Sequence, residues 1–279
     1  MAEAMFLPYH FVDFLKKPGL ACKAGTVPLD AYLCLTKSNG GNDSADSLLG
    51  QLRWMKDGGN GTTLNSQAGG VAIDLAWKGQ GKPETFVKIW DFMCRNKEAL
   101  KKLKVEVCAA RDDPDVKIVK RTGNVFDLYF KDRSDKAAIE AMIDDRFFGI
   151  DCIGFVSNFL VWCGEWSEYK GVVPSKWAAH HHKIPVHKVQ DLKPLDVLLW
   201  GGHIAIVDWV WKPIDGDKVE IDVCQSSAGG PQCNERVILR DLKVKNSDGR
   251  WMFDIFNAGS RPMPVRAHCY AMRREGFFW

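Results

Sequence analysis

From Val197 to the C-terminus the chain is dominated by strand-length apolar runs, and these limit the possible folds more than any other feature. Val197–Trp200, His203–Trp211 and Val219–Cys224 are rich in Val, Ile and Trp. The last two flank Lys212-Pro-Ile-Asp-Gly-Asp217, whose Gly and aspartates predict a hairpin connection. Arg236–Leu239 and Trp251–Phe256 add further strands. Ahead of this block, apolar residues recur at Cys152, Phe155/Val156, Phe159/Leu160 and Cys163, the spacing of an amphipathic helix. A helix followed by an antiparallel meander is an α+β layout.

The first half is organised differently. Lys37 to Gly81 is rich in Gly, Asn, Ser and Thr, which predicts loops around one short helix near Ser47–Trp54. A helical segment over Pro83–Leu103 opens on Pro83-Glu84-Thr85 and ends in a lysine-rich turn. Lys104–Cys108, Val116–Val119 and Val125–Phe130 read as strands, and Lys136–Asp144 as a helix. Lysines 97, 101, 102 and 104 read as a solvated face rather than a binding patch. The pattern divides the chain into an N-terminal α+β accessory region, 1–133, and a second domain, 134–279.

Composition narrows the function classes. Of 279 residues 46% are hydrophobic and 26% charged, enough to bury a core. The net charge of +3 gives no case for nucleic acid or an acidic membrane surface. No apolar run reaches the ~20 residues of a membrane span. The N-terminus lacks the basic start and apolar stretch of a signal peptide. The expectation is therefore a cytoplasmic protein, or one exported by a signal-independent secretion system. Eleven tryptophans, six of them between Trp162 and Trp211, read first as core and second as the lining of a groove for an extended ligand. None of the nine cysteines forms a C-x-x-C pair, which argues against a structural zinc site and a thioredoxin-like motif. Mostly reduced thiols are expected, and Cys224 and Cys233, flanking a Gly-rich turn, are the first pair to test for a bridge.

The candidate chemistry centres on Cys152. A thiol attacks carbonyl carbon as thiolate, and a free pKa of about 8.5 leaves little thiolate at neutral pH. A helix N-terminus and a neighbouring imidazolium both lower that pKa. Cys152 stands in the first turn of its helix, and Gly154 just after it is a poor helix former, better explained by close approach of backbone or ligand. His203 heads an apolar strand after Gly201-Gly202, where a polar imidazole needs partners. The next strand ends Val223-Cys224-Gln225-Ser226-Ser227, so a hairpin can set Gln225 beside His203 as the group that orients the ring. Asp222 is the alternative, but strand alternation turns it to the opposite face.

These residues resemble a family. Gly149-Ile-Asp-Cys-Ile-Gly-Phe-Val-Ser157 is similar to the Asp-Cys-Ser-Gly-Phe-Val signature of the NlpC-type cell-wall peptidases, compact papain-like enzymes. Lys193-Pro-Leu-Asp-Val-Leu-Leu-Trp200 resembles their Pro-Gly-Asp-Leu strand, and Gly202-His-Ile-Ala-Ile-Val207 their Gly-His-Val-Gly-Ile-Tyr strand. Val223-Cys-Gln-Ser-Ser227 stands where the family carries its third polar residue. The resemblance covers about half the chain, from Ser134 onward. It implies a papain-like core with the cysteine helix packed on an antiparallel sheet. It also implies an amide hydrolase of peptidoglycan stem peptides, with Cys152 as nucleophile, His203 as base, Gln225 as orienting residue, and the Cys152 N–H at the oxyanion. Ile153 replaces the usual Ser, Leu195 the usual Gly, and Asp144-Asp-Arg-Phe-Phe-Gly stands where the family has an aromatic-and-glycine segment.

The remaining motifs read more plainly. His180-His181-His182 and His187 lack Cys or carboxylate neighbours at ligand spacing and read as a solvated loop. Ser226-Ser-Ala-Gly-Gly230 lacks the Lys and helix of a phosphate loop and reads as a turn. Cys163 reads as packing. No cofactor and no metal is called for. Three readings of the function stay open. The first is a peptidoglycan amidase, acting as an antibacterial effector toxin with an immunity protein as partner. The second is a cysteine protease, deamidase or transglutaminase acting on host proteins. The third is an inactive module that binds a peptide or glycan.

Overall fold

A computed structural model describes residues 7–32, 48–108, 120–164, 184–227, 229–258 and 267–274. The chain divides into two compact units. A sheet unit comprises Met1–Val12, Phe155–Ser226 and Gln232–Trp279, and a helical unit comprises Asp13–Gly154 and Ser227–Pro231. The architecture is mixed α+β with antiparallel sheets. No helix among the described residues is long and apolar enough to cross a membrane.

In the helical unit, Leu20–Cys22 (β1) pairs with Gly25–Val27 (β2), and Lys104–Cys108 (β3) with Lys120–Asn124 (β4), both antiparallel. The longest helix, Pro83–Arg95 (α5), starts with Pro at its first turn, where a missing N–H costs nothing. It buries Phe86, Ile89, Trp90 and Met93 at helical spacing. Trp90 is fully buried, edge-on to Phe148 at a centroid distance of 6.0 Å. The helix ends at Asn96, and Lys97–Lys102 continues as a 3₁₀ turn rather than as one α-helix to Leu103. Asn96 causes the break: its Nδ2 donates to the Phe92 carbonyl and its Oδ1 accepts from Gly58 N–H. Lys97 and Lys101 lie near the surface, paired with Asp135 and Glu98, as a solvated face should.

Two further expectations change in this unit. The Gly/Ser-rich stretch holds two helices besides Leu48–Trp54 (α2), namely Leu64–Ala68 (α3) and Gly70–Trp77 (α4). Thr63 caps α3 by accepting from Ser66 N–H, and burial of Leu64, Ile73 and Ala76 overrides the poor propensity. Val125–Phe130 is not a strand: Phe126–Phe130 forms a π-helical turn. Asn124 Oδ1 accepts from Asp127 N–H at 2.8 Å, a local turn that outcompetes the β-propensity of the segment. Val116–Val119 lies outside the described residues. The helix expected over Lys136–Asp144 is Asp135–Asp144 (α6), capped by Ser134.

In the sheet unit the strands are Ile184–Pro185 (β5), Val197–Trp200 (β6), His203–Asp215 (β7), Lys218–Ser227 (β8), Gly230–Lys245 (β9), Trp251–Asn257 (β10) and Ala267–Arg273 (β11). Their order is β10-β9-β8-β7-β6-β11-β5, and β10 also pairs with β11, which closes β6 to β11 into a ring. Closure removes open edges. Alternate residues face a common interior: Ala205 and Val207 of β7, Val219, Ile221 and Val223 of β8, Val237 and Leu239 of β9, Phe253 and Ile255 of β10, and Cys269 and Ala271 of β11. The β7–β8 turn is tighter than expected, because β7 runs on to Asp215, paired with Lys218. The strand β11 is absent from the sequence reading. Its interior residues are small, and its other face carries His268, so no apolar alternation announces it.

The cysteine helix Cys152–Trp162 (α7) begins where expected but is not amphipathic: every residue from Cys152 to Leu160 is buried, Ser157 and Asn158 included. Phe11 of the first helix, Pro8–Lys16 (α1), meets Phe155, Phe159 and Trp162 with ring centroids 5.7, 6.2 and 5.6 Å away. The core reading of the tryptophans fails at Trp162, Trp209 and Trp211, which are 37%, 46% and 40% exposed, while Trp166 and Trp177 lie outside the described residues. Trp211 is held by its Nε1–H donating to Asp222 and by the Arg236 guanidinium over its ring. Cys224 and Cys233 form a disulfide.

Two buried carboxylates tie the ring together. Asp254 stands opposite Arg240 on one side and His268 on the other, and binds both. Asp196, 1% exposed, accepts from Arg273 Nε at 2.7 Å and Nη2 at 2.6 Å. Leu195 just before it has φ +69, a conformation that suits glycine. Its N–H bond to the Val207 carbonyl and its buried side chain hold it there. Truncating Arg273 to Met leaves Asp196 buried without a cation and should destabilise the fold by about 3 kcal/mol, read as a lower urea midpoint at unchanged m.

Candidate active site

The sequence-derived site residues fall in both units: Cys152 in the helical unit, His203 and Gln225 in the sheet unit. Cys152 is 5% exposed and opens α7. The chain entering the helix is pinned twice, by Ile150 N–H to the Ala31 carbonyl at 3.0 Å and Asp151 N–H to the Gly79 carbonyl at 2.7 Å. Asp151 caps the helix, its carboxyl accepting from the N–H groups of Gly154 and Ile153. Gln80 Nε2 donates to the other carboxyl oxygen at 2.9 Å. The resulting frame fixes the peptide planes around the thiol, at the end of the helix where partial positive charge favours an anion.

Gly154 is explained by this frame. A Cβ there would lie 2.1 Å from the Gly79 carbonyl oxygen and 2.9 Å from Gln80 Cα, so a backbone segment occupies the space a side chain needs. The close approach anticipated from the sequence is therefore by backbone. Gly154→Ala should destabilise the protein by roughly 1–3 kcal/mol, seen as a lowered melting temperature, since neither contacting atom belongs to a flexible side chain.

Burial pushes the Asp151 carboxyl up to about 7, outweighing the hydrogen bonds from Gly154, Gln80 and Ile153 that favour its ionised form. The folded state therefore holds a proton that the unfolded chain, with its carboxyl near 3.9, releases. This contribution to stability is complete below about pH 4 and is lost as pH rises to about 7. Asp151→Asn should remove that component, flattening the decline of unfolding free energy between about pH 4 and 7 in urea titrations.

In the sheet unit, Gly201 and Gly202 have φ +49 and +82 and join Trp200 to its pairing partner His203. A two-residue hairpin with both central residues at positive φ is the turn that matches strand twist, which is why two glycines precede the histidine. The turn makes His203 the first residue of β7, on the face that Ala205 and Val207 turn to the interior. Gln225, 1% exposed, continues the interior column of Val219, Ile221 and Val223 on β8. The two side chains meet, His203 Nε2 lying 2.6 Å from Gln225 Oε1. An amide oxygen only accepts, so Nε2 carries the proton and Nδ1 is the basic nitrogen. The Trp200 ring packs on the imidazole at a centroid distance of 4.8 Å.

Asp222 is not part of this arrangement. It sits on the opposite face of β8, bound to Trp211 and Arg236. His187 is exposed, while His180, His181 and His182 lie outside the described residues. Ser226 and Ser227 end β8 and Gly230 starts β9, the turn expected there. Cys163, just past the end of α7, donates to the Leu160 carbonyl. The sequence reading missed Gln80, which has no motif of its own. Asp151 stood within the quoted signature without a role.

No protein-family model, curated protein or solved structure matches this chain.

Proposed function

We propose that this chain is a cysteine-dependent amide hydrolase with a papain-like core of NlpC type, cleaving peptide stems of peptidoglycan as an antibacterial effector. Cys152 is the nucleophile, His203 the base and Gln225 the residue that orients the imidazole. The observation that carries the reading is the part-buried 2.6 Å contact from His203 Nε2 to Gln225 Oε1, because an amide oxygen accepting from Nε2–H makes Nδ1 the basic nitrogen of the neutral ring. The position of Cys152 at the capped start of α7, and the motif order along the chain, support it.

In this mechanism His203 Nδ1 takes the thiol proton as Cys152 Sγ adds to the amide carbon. The Cys152 N–H stabilises the tetrahedral oxyanion. The imidazolium then protonates the departing amine, leaving a thioester that water hydrolyses with His203 again as base. Gln225 keeps the imidazole in the tautomer and plane both steps require.

Purified peptidoglycan digested with the intact protein should yield new amine and carboxyl ends, identified by mass spectrometry, and Cys152→Ala should yield none. Gln225→Ala should lower kcat on the order of 10²-fold with little change in KM. If the folded, intact protein releases no fragment while Cys152 remains the fastest-alkylated thiol, peptidoglycan is the wrong substrate and a protein amide takes its place. If Cys152 reacts no faster than the other thiols, the hydrolase reading fails.

A further inference from the structure

Asp208 is a buried carboxylate for which the proposed hydrolysis has no use. It lies in β7 where the β7–β8 register shifts between Val207 and Trp209, and it is 4% exposed. Its hydrogen bond among the described residues comes from Tyr9 N–H, at 3.0 Å to Oδ1. Burial pushes the carboxyl pKa up, with the nearby Asp222 charge adding to that and His10 opposing it. Beside it lie Cys224 and Cys233, and one carboxylate oxygen and the two sulfurs all fall within 4.8 Å of one another.

A disulfide is a poor neighbour for such a group, because it has no hydrogen to donate and no positive charge. A buried carboxylate needs hydrogen bonds or a cation to offset its lost hydration. Reduction changes the chemistry of the cluster. A small thiol converts the disulfide to two thiols and is itself oxidised to its disulfide. Two thiolates and a carboxylate then form a three-donor set of a kind that suits zinc and other thiophilic divalent cations. In a tetrahedral zinc site with Zn–S of about 2.3 Å, two sulfurs stand roughly 3.8 Å apart, a separation the pair can reach only after the bond between them is broken.

We infer that Asp208, Cys224 and Cys233 form, once the disulfide is reduced, a binding site for one thiophilic divalent cation, with water as the fourth ligand. Binding displaces the two thiol protons, and oxidation of the pair expels the cation. The site lies next to the catalytic proposal in the chain, since Gln225 follows Cys224, but it does not depend on that proposal.

The test uses the whole chain, folded and reduced with a phosphine, and titrated with zinc in competition with a chromophoric chelator. Cadmium reports the ligands through sulfur-to-metal charge-transfer absorption in the ultraviolet. The reduced protein should bind one cation in competition with the chelator and show the thiolate band. Cys233→Ser should lose the band, and Asp208→Asn should weaken binding roughly a hundredfold or more. Oxidising the loaded wild type with glutathione disulfide should release one equivalent of zinc, a readout that needs no variant to fold. The inference is overturned if the reduced protein binds no cation, if Asp208→Asn binds as tightly as the wild type, or if oxidation releases none.

Discussion

The pairing of β11 with both β6 and β10 is the constraint on which the sheet unit depends. Without it, β6 to β10 would be an open sheet with two exposed edges. With it, the interior residues of six strands enclose one core, and the column positions at the strand ends become defined places for polar side chains. His203 and Gln225 occupy two of these. The pairing of β7 with β6 and with β8 sets the backbone positions from which the two side chains meet. The Asp196–Arg273 bond spans β11 and the start of β6, so the same closure also brings a buried carboxylate to its cation.

A second constraint governs the helical unit. The start of α7 is shaped by chain segments far apart in sequence, with Ala31 and Gly79 accepting backbone N–H groups and Gln80 holding the capping carboxylate. A cysteine at a frayed helix end would share its environment with water. Here the cap and the two backbone bonds hold the first turn in one geometry, and Gly154 is the residue whose missing side chain lets the Gly79–Gln80 segment approach. A nucleophilic role for Cys152 draws on this local rigidity whatever the substrate.

Asp151, Asp196, Asp208 and Asp254 are all carboxylates with little access to water, and each meets the cost of burial differently. Asp254 and Asp196 take cations from neighbouring strands. Asp151 takes backbone and amide donors and holds its proton to about pH 7. Among the described residues Asp208 has one backbone donor, Tyr9 N–H, beside two sulfurs, which sets it apart from the others. The C-x-x-C rule fails to flag this cluster because β7, β8 and β9 bring its members together across strands, and Cys224 and Cys233 stand 9 residues apart in sequence.

The sequence by itself determined the strand block after Val197, the start of α7 at Cys152, the apolar strand that His203 heads after two glycines, and the choice of Gln225 over Asp222. Each of these rests on local rules: the periodicity of apolar residues and the alternation of side chains across a strand. What it could not supply rests on contacts between distant segments. The helices α3 and α4 formed in a Gly-rich stretch because their few apolar residues found a core. The turn after Asn124 replaced a strand because one side-chain hydrogen bond outweighed propensity. Burial all round α7, the closing strand β11, the Gln80–Asp151 cap and the Asp208 cluster were decided only by tertiary structure. Burial and partner choice are properties of the packed chain, and no local window of residues contains them.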